Sequence, residues 1–128
     1  MANIPTELMY SDQHEWVRLE GNIATVGVTD FAQEQLTDIV FVELPEVGLR
    51  VKSGEAIAVL ESVKSVSDVY APTTGEIVEI NETLEDHPER INEDAFGEGW
   101  IFKLKIASSG LPGLMDAAAY EEFLKTQE

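Results

Sequence analysis

Two histidines, 25 carboxylates, eight lysines and arginines and no cysteine make up the reactive side chains of this 128-residue sequence. Without cysteine there is no thiolate nucleophile, no disulfide and no Cys-ligated zinc. Nucleophilic catalysis would then need a Ser or Thr beside His14 or His87. His87 stands next to Pro88 in an acidic stretch and reads as a solvated imidazole. His14 precedes Glu15 and Trp16, where a structural hydrogen bond or an interface role suits it better than catalysis. Two histidines so far apart have no metal-ligand spacing. The stretch from 76 to 98 sets nine acids against the single base Arg90, yet lacks the Asp-x-Asp-x-Asp-Gly order of a calcium loop. A Gly-x-Gly-x-x-Gly phosphate loop is missing as well. The sequence supplies no self-sufficient active site, and a non-enzyme is expected.

The lysine that stands out is Lys64, within Glu61-Ser62-Val63-Lys64-Ser65-Val66-Ser67-Asp68. Strand-like runs lie on both sides, so Val63-Lys64 is expected at a tight turn of a hairpin. An exposed amine of this kind is protonated near neutral pH and is a poor nucleophile. It is a good tether, because another enzyme can acylate an accessible primary amine on a rigid tip. Group-carrier cofactors use that arrangement, with the cofactor supplying the chemistry and the protein its position. Alone, a turn lysine is more often merely solvated.

The elements that must present this tip are short strands. Trp16 to Arg18 and Ile23 to Gly27 flank a turn at Glu20-Gly21-Asn22. Thr29 or Asp30 can cap a short helix carrying Phe31, Ala32, Gln35 and Leu36, ended by Thr37-Asp38. Ile39 to Leu44, Ala56 to Leu60, Val66 to Ala71, Glu76 to Ile80 and Trp100 to Ile106 are further strand-length runs. Phe102, Leu104 and Ile106 should face inward and Lys103 and Lys105 outward. Helical spacing from Leu114 to Lys125 predicts a C-terminal helix. Six or seven strands with peripheral helices predict one mainly β domain over residues 1–128, a small sandwich or barrel.

The net charge is −17 at pH 7, with a pI near 4.2. Such a chain repels polyphosphate and anionic lipid, so neither nucleic acid nor a membrane is an expected partner. No apolar run approaches ~18 residues, and the start lacks a basic segment followed by a hydrophobic one. A soluble, unexported protein is the expectation.

His14-Glu15-Trp16, Val26 to Asp30, Phe41 to Gly48, the block from Glu61 to Asp68, Ala71 to Glu76, Gly99 to Lys105 and Ala119-Tyr120-Glu121 together resemble the H proteins of the glycine cleavage system, its lipoyl carriers. The resemblance runs nearly end to end. It implies a lipoyl/biotinyl-type flattened barrel of two antiparallel sheets, with the modified lysine at a hairpin tip. Lys64 matches the lipoylation site, with lipoate amide-linked by a lipoate ligase or an octanoyl transferase. Glu61 matches an acidic position that lipoylating enzymes read. Glu15 and Asp68 match acidic positions in a cleft that receives the loaded arm, although Glu15 by itself would also suit a solvated strand edge. The chain departs from the family pattern at Gln13, Phe31 and Thr37, the last often glycine.

The partners so implied are the glycine decarboxylase, the folate-dependent aminomethyltransferase and the dihydrolipoyl dehydrogenase, visited by a monomeric carrier. The bacterial cytoplasm is the implied compartment, or the mitochondrial matrix for a eukaryotic chain. Val63 and Ser65, in place of the flanking methionines of biotin domains, favour lipoate. An H-like relay serving the lipoylation of other complexes, and an unmodified acidic interaction module, stay open at this point.

Overall fold

The computed structural model describes residues 4–106 and 113–126. One hairpin joins β2 (Glu15–Glu20) to β3 (Ile23–Val28) through Gly21, whose φ of 63° suits glycine. Around it a six-stranded antiparallel sheet runs in the order β1 (Met9–Tyr10), β2, β3, β9 (Phe102–Lys105), β8 (Gly75–Ile80), β5 (Arg50–Val51). A second antiparallel sheet has three strands, β4 (Ile39–Glu43), β6 (Ala56–Ser62) and β7 (Val66–Tyr70), with β6 central.

Strand periodicity of two sorts each strand into an inner and an outer face. Val17, Val26, Phe102 and Leu104 of the large sheet pack in one core with Val42, Leu60 and Val69 of the small one. Lys103 and Lys105 point away from that core, Lys103 reaching Glu79 across β8 at 3.7 Å. The two-sheet, mainly β architecture expected from the sequence is present.

The acidic stretch folds as two helical turns, α2 (Thr83–Asp86) and α3 (Arg90–Glu93), each pinned by one fully buried residue, Leu84 and Ile91. Between strands β3 and β4 lies α1 (Asp30–Leu36), capped by Thr29, whose Oγ1 accepts from Ala32 N.

The C-terminal helix, α4 (Ala117–Lys125), starts three residues later than the spacing predicts. Asp116 caps it, accepting from Ala119 N at 2.8 Å. Met115 cannot join the helix because its N–H and C=O are both spent on Tyr10 in a β-bridge. Tyr120 and Leu124 of α4 then close a second apolar cluster with Leu8, Tyr10 and Trp16, in which Tyr10 and Tyr120 stack at 4.6 Å.

Trp16 is fully buried and donates from Nε1 to Ala95 O at 2.8 Å. Its indole lies over Gly27, its cross-strand partner, so closely that a Cβ there would come within 2.7 Å of three ring atoms. A hydrogen-bonded, packed indole has nowhere to retreat. Gly27→Ala should therefore lower stability by about 1–3 kcal/mol, measured by urea unfolding. A change below about 0.5 kcal/mol would mean that Trp16 repacks freely.

Candidate functional site

The β6–β7 hairpin presents Lys64. Leu60 and Val69 turn into the core, while Glu61, Val66 and Asp68 lie exposed. The register aligns Phe41, Glu61 and Val66 in one row across the three strands, and Glu43, Val59 and Asp68 in another. Beyond Glu61 the chain turns at Ser62, whose N–H donates to Ser65 O at 2.8 Å. The Ser62 hydroxyl accepts from Lys64 N at 3.1 Å and Ser65 N at 2.9 Å, and donates to Ser65 O at 3.0 Å. That uses its one proton and both lone pairs. No residue from 63 to 65 has a positive φ, so the turn needs neither Gly nor Asn.

A further bond, Val63 N to Asp38 O at 3.1 Å, ties the tip to the segment between α1 and β4. Lys64 itself is exposed, its Nζ 3.4 Å from Gln35 O near the end of α1. A bond this long at an exposed amine is a loose tie.

The brace beneath the tip is strained. Thr37, at the C-terminus of α1, has φ 65° and ψ −147°, a region that belongs to glycine. It is held there by Thr37 N donating to Gln33 O and by Asn92 Nδ2 donating to Thr37 O. Glycine at this position would relieve the strain. Thr37→Gly should raise stability by about 1 kcal/mol in urea unfolding, even after glycine's greater chain entropy. Destabilisation would show that the threonine is held without strain.

Glu15 lies elsewhere, at the start of β2, and is 1% exposed. Its Oε1 accepts from the Ser11 hydroxyl, and its Oε2 accepts from Tyr70 N at 3.1 Å, at the foot of β7. Burial pushes the carboxyl from an ordinary 4.5 up to about 7, with nearby Asp12 adding to the rise. The bonds from Ser11 and Tyr70 oppose it without prevailing. Glu15, Tyr70, Ser11, Gln13 and Gly54 line a cavity of about 380 Å³. A larger one of about 480 Å³ lies among Arg50, Lys52, Glu76 and Lys105 on the six-stranded sheet, and neither includes Lys64.

Of the four residues singled out by sequence, Glu61, Lys64 and Asp68 fall along one hairpin, and Glu15 of β2 meets its foot. Glu61 stands three residues before the tip and Asp68 four after it. Tyr70, two further on, receives Glu15. No bond joins Glu15 to Asp68 directly among the described residues; they are linked through the β7 backbone. Glu15 is not a solvated strand-edge acid. Spacing gave no sign of that, since its burial depends on Ser11 and on a strand 55 residues away.

His14 takes a structural role: Nδ1 meets Tyr120 OH at 2.8 Å, and its ring packs 4.8 Å from Phe31. Burial lowers its pKa and favours the neutral ring. Tyr120 OH also meets Thr29 Oγ1 at 2.7 Å, joining α4 to the helix cap. Ser62, Gln35 and Ser11 had no role assigned from the sequence. Only Ser62 carried a readable signal, a serine placed to accept from the N–H groups two and three residues on.

The family model described as glycine cleavage H-protein matches residues 8–127 of the chain. A glycine cleavage system H protein of Symbiobacterium thermophilum is 57% identical over 126 residues, 98% of each chain. One of Thermus thermophilus is 53% identical over the same length and share. A crystal structure of a glycine cleavage system H protein from Mycobacterium marinum superposes with a TM-score of 0.85 at 37% identity, covering 97% of this chain and 98% of that one.

Proposed function

The chain belongs to the glycine cleavage H-protein family, and on that premise we propose that it is the lipoyl carrier of glycine cleavage, with lipoate amide-linked to Lys64. The observation that carries this is the tip: one serine hydroxyl fixes the turn, and the amine it presents is exposed and only loosely tied. Neither of the two cavities described above includes the amine, as suits a tether and not a catalytic base. When bound, lipoate supplies a dithiolane that takes up an aminomethyl group at the glycine decarboxylase, yields it to the folate-dependent aminomethyltransferase and is reoxidised at the dihydrolipoyl dehydrogenase.

The chain's own residues hold and shield. Ser62 and Asp38 keep the tip rigid, so the arm swings from a fixed point. Glu61 offers the modifying enzyme a carboxylate one strand-row below the amine. Glu15 offers a buried carboxylate at the wall of a cavity, a place suited to a protonated amine brought back by the arm. Asp68 stands on the strand between. We take residues 1–128 as a single carrier domain, monomeric, without an active site of its own, working in the bacterial cytoplasm. A carboxylate excess suits brief visits to several enzymes through long-range attraction.

Reconstitution tests the proposal. With glycine, tetrahydrofolate, NAD and the three partner enzymes, the lipoylated protein should support NADH formation that scales with its concentration. The unlipoylated protein should give background only. Equal rates from both forms would end the carrier reading.

A further inference from the structure

Four of the six large apolar side chains left exposed among the described residues crowd one end of the molecule: Val40, Phe41, Val63 and Val66. Phe41 is 52% exposed, Val63 69% and Val66 64%. The register puts Phe41 and Val66 on either side of Glu61 in the row just below the tip, and Val63 adjoins Lys64 in the turn. Val40 lies where the β4–β6 pairing shifts register beside Phe41. We propose that these side chains form an apolar collar on which the enzyme that acylates Lys64 seats the mouth of its active site. The inference rests on the carrier reading and adds the surface that admits the modifying enzyme.

Reach selects this occupant. A lysine Nζ lies about 6 Å from its own Cα, so a catalyst that forms a bond at Nζ must touch the residues around the tip. A lipoyl chain adds roughly 8 Å more, so an enzyme acting at its far end can stand clear of the collar. Clustered exposed apolar side chains on a small protein mark contact surfaces. Charge sets the partner's chemistry. Glu61 sits inside the row, Asp38 holds the tip from beside it, and Glu43 and Asp68 flank Val59 in the row below. The matching surface is an apolar hollow ringed by Arg and Lys. A second copy of this chain fits poorly, because a two-fold contact would bring these carboxylates against their own copies.

The reaction used as the readout is balanced. Lipoate and ATP give lipoyl adenylate and pyrophosphate. Nζ, having given up its ammonium proton, attacks the acyl carbon; the C–N bond forms, the bond to phosphate oxygen breaks and AMP leaves. The experiment measures kcat and KM for the protein substrate with a bacterial lipoate ligase, lipoate and ATP. It compares the wild type with Phe41→Ser, Val66→Ser and Val66→Leu, and with Val47→Ser as an exposed apolar site outside the collar. Thermal melts check the fold, and acetylation of Lys64 by a small active ester checks the amine.

Each serine variant in the collar should raise KM at least tenfold at unchanged kcat. Val66→Leu and Val47→Ser should stay within twofold of the wild type. Serine variants within twofold of the wild type would overturn the inference. So would variants that acylate normally but fail in the reconstituted system, which would assign the collar to a later partner. A wild-type dimer in sedimentation that Phe41→Ser dissolves would assign it to a second copy. A wild type that takes no lipoyl group would remove the carrier reading and the collar with it, whereas an acylated wild type with unaffected variants removes the collar alone.

Discussion

Wild-type protein incubated with lipoate ligase, lipoate and ATP should gain one lipoyl group by intact mass, and Lys64→Arg should gain none. Arginine keeps the positive charge and the length of the side chain, so the loose contact with Gln35 O and the fold should survive. A guanidinium does not deprotonate in proteins and so offers no nucleophilic nitrogen. The loss is expected to be complete, and in the reconstituted glycine reaction the variant should fall to background. Competing lysines sharpen the test. Lys103 reaches Glu79 at 3.7 Å and lies 5.2 Å over Trp100, while Lys125 reaches Glu122 at 3.3 Å. Lys52 and Lys105 line the cavity on the other sheet. Only Lys64 stands on a turn fixed by a serine hydroxyl. A lipoyl group on Lys64→Arg, or increments spread over several lysines, would mean that the tip does not direct modification.

The tip was legible in the sequence because the turn itself is made locally, by Ser62 and the residues two and three further on, while its ties to Asp38 and Gln35 were not. Strand-like runs, Ala56 to Leu60 and Val66 to Ala71, flank Val63-Lys64, and alternation alone puts Val69 inside and Asp68 outside. Short elements defined only by their partners left no such trace. Strands β1 and β5 are two residues each, too brief for any period, and exist because Val17 and Trp16, or Gly75 and Glu76, lie opposite. The spacing places the start of α4 too early for the same reason: Leu114 and Met115 continue an apolar spacing, but Tyr10 claims the backbone of Met115. Thr37 shows a converse case. Its identity was visible as a letter, while its cost required the positive φ.

The second large effect concerns Glu15, and its sign follows from the direction of its shift. The folded protein holds this proton up to about pH 7, whereas the unfolded chain releases it near 4.5. Between those values the native state binds more protons than the unfolded one, so this group makes stability fall as pH rises and leaves it level above the folded pKa. Twenty-four other carboxylates impose their own pH dependence, so the readout is the difference between wild type and Glu15→Gln, which cannot ionise at this site. Between pH 5 and pH 8, urea unfolding should show the variant gaining roughly 2–3 kcal/mol on the wild type, whatever the offset at pH 5. A constant offset would mean that Ser11 and Tyr70 fully stabilise the carboxylate and that burial costs it nothing.

The carrier reading adds a condition under which that cost should vanish. An ammonium group brought against Glu15 favours its charged form, so a loaded arm resting in the cavity lowers the carboxyl's pKa. Titration of the Glu15 carboxyl carbon by NMR should then show a midpoint near 7 with the unloaded protein and a lower one with the aminomethyl-loaded protein. The same coupling runs in reverse. By linkage, an ionised Glu15 must hold the loaded arm more tightly than a protonated one, so release of the aminomethyl group to water should slow as pH rises through 7. Unchanged midpoints in the two states would place the loaded arm away from Glu15 and confine the role of its buried carboxylate to the fold.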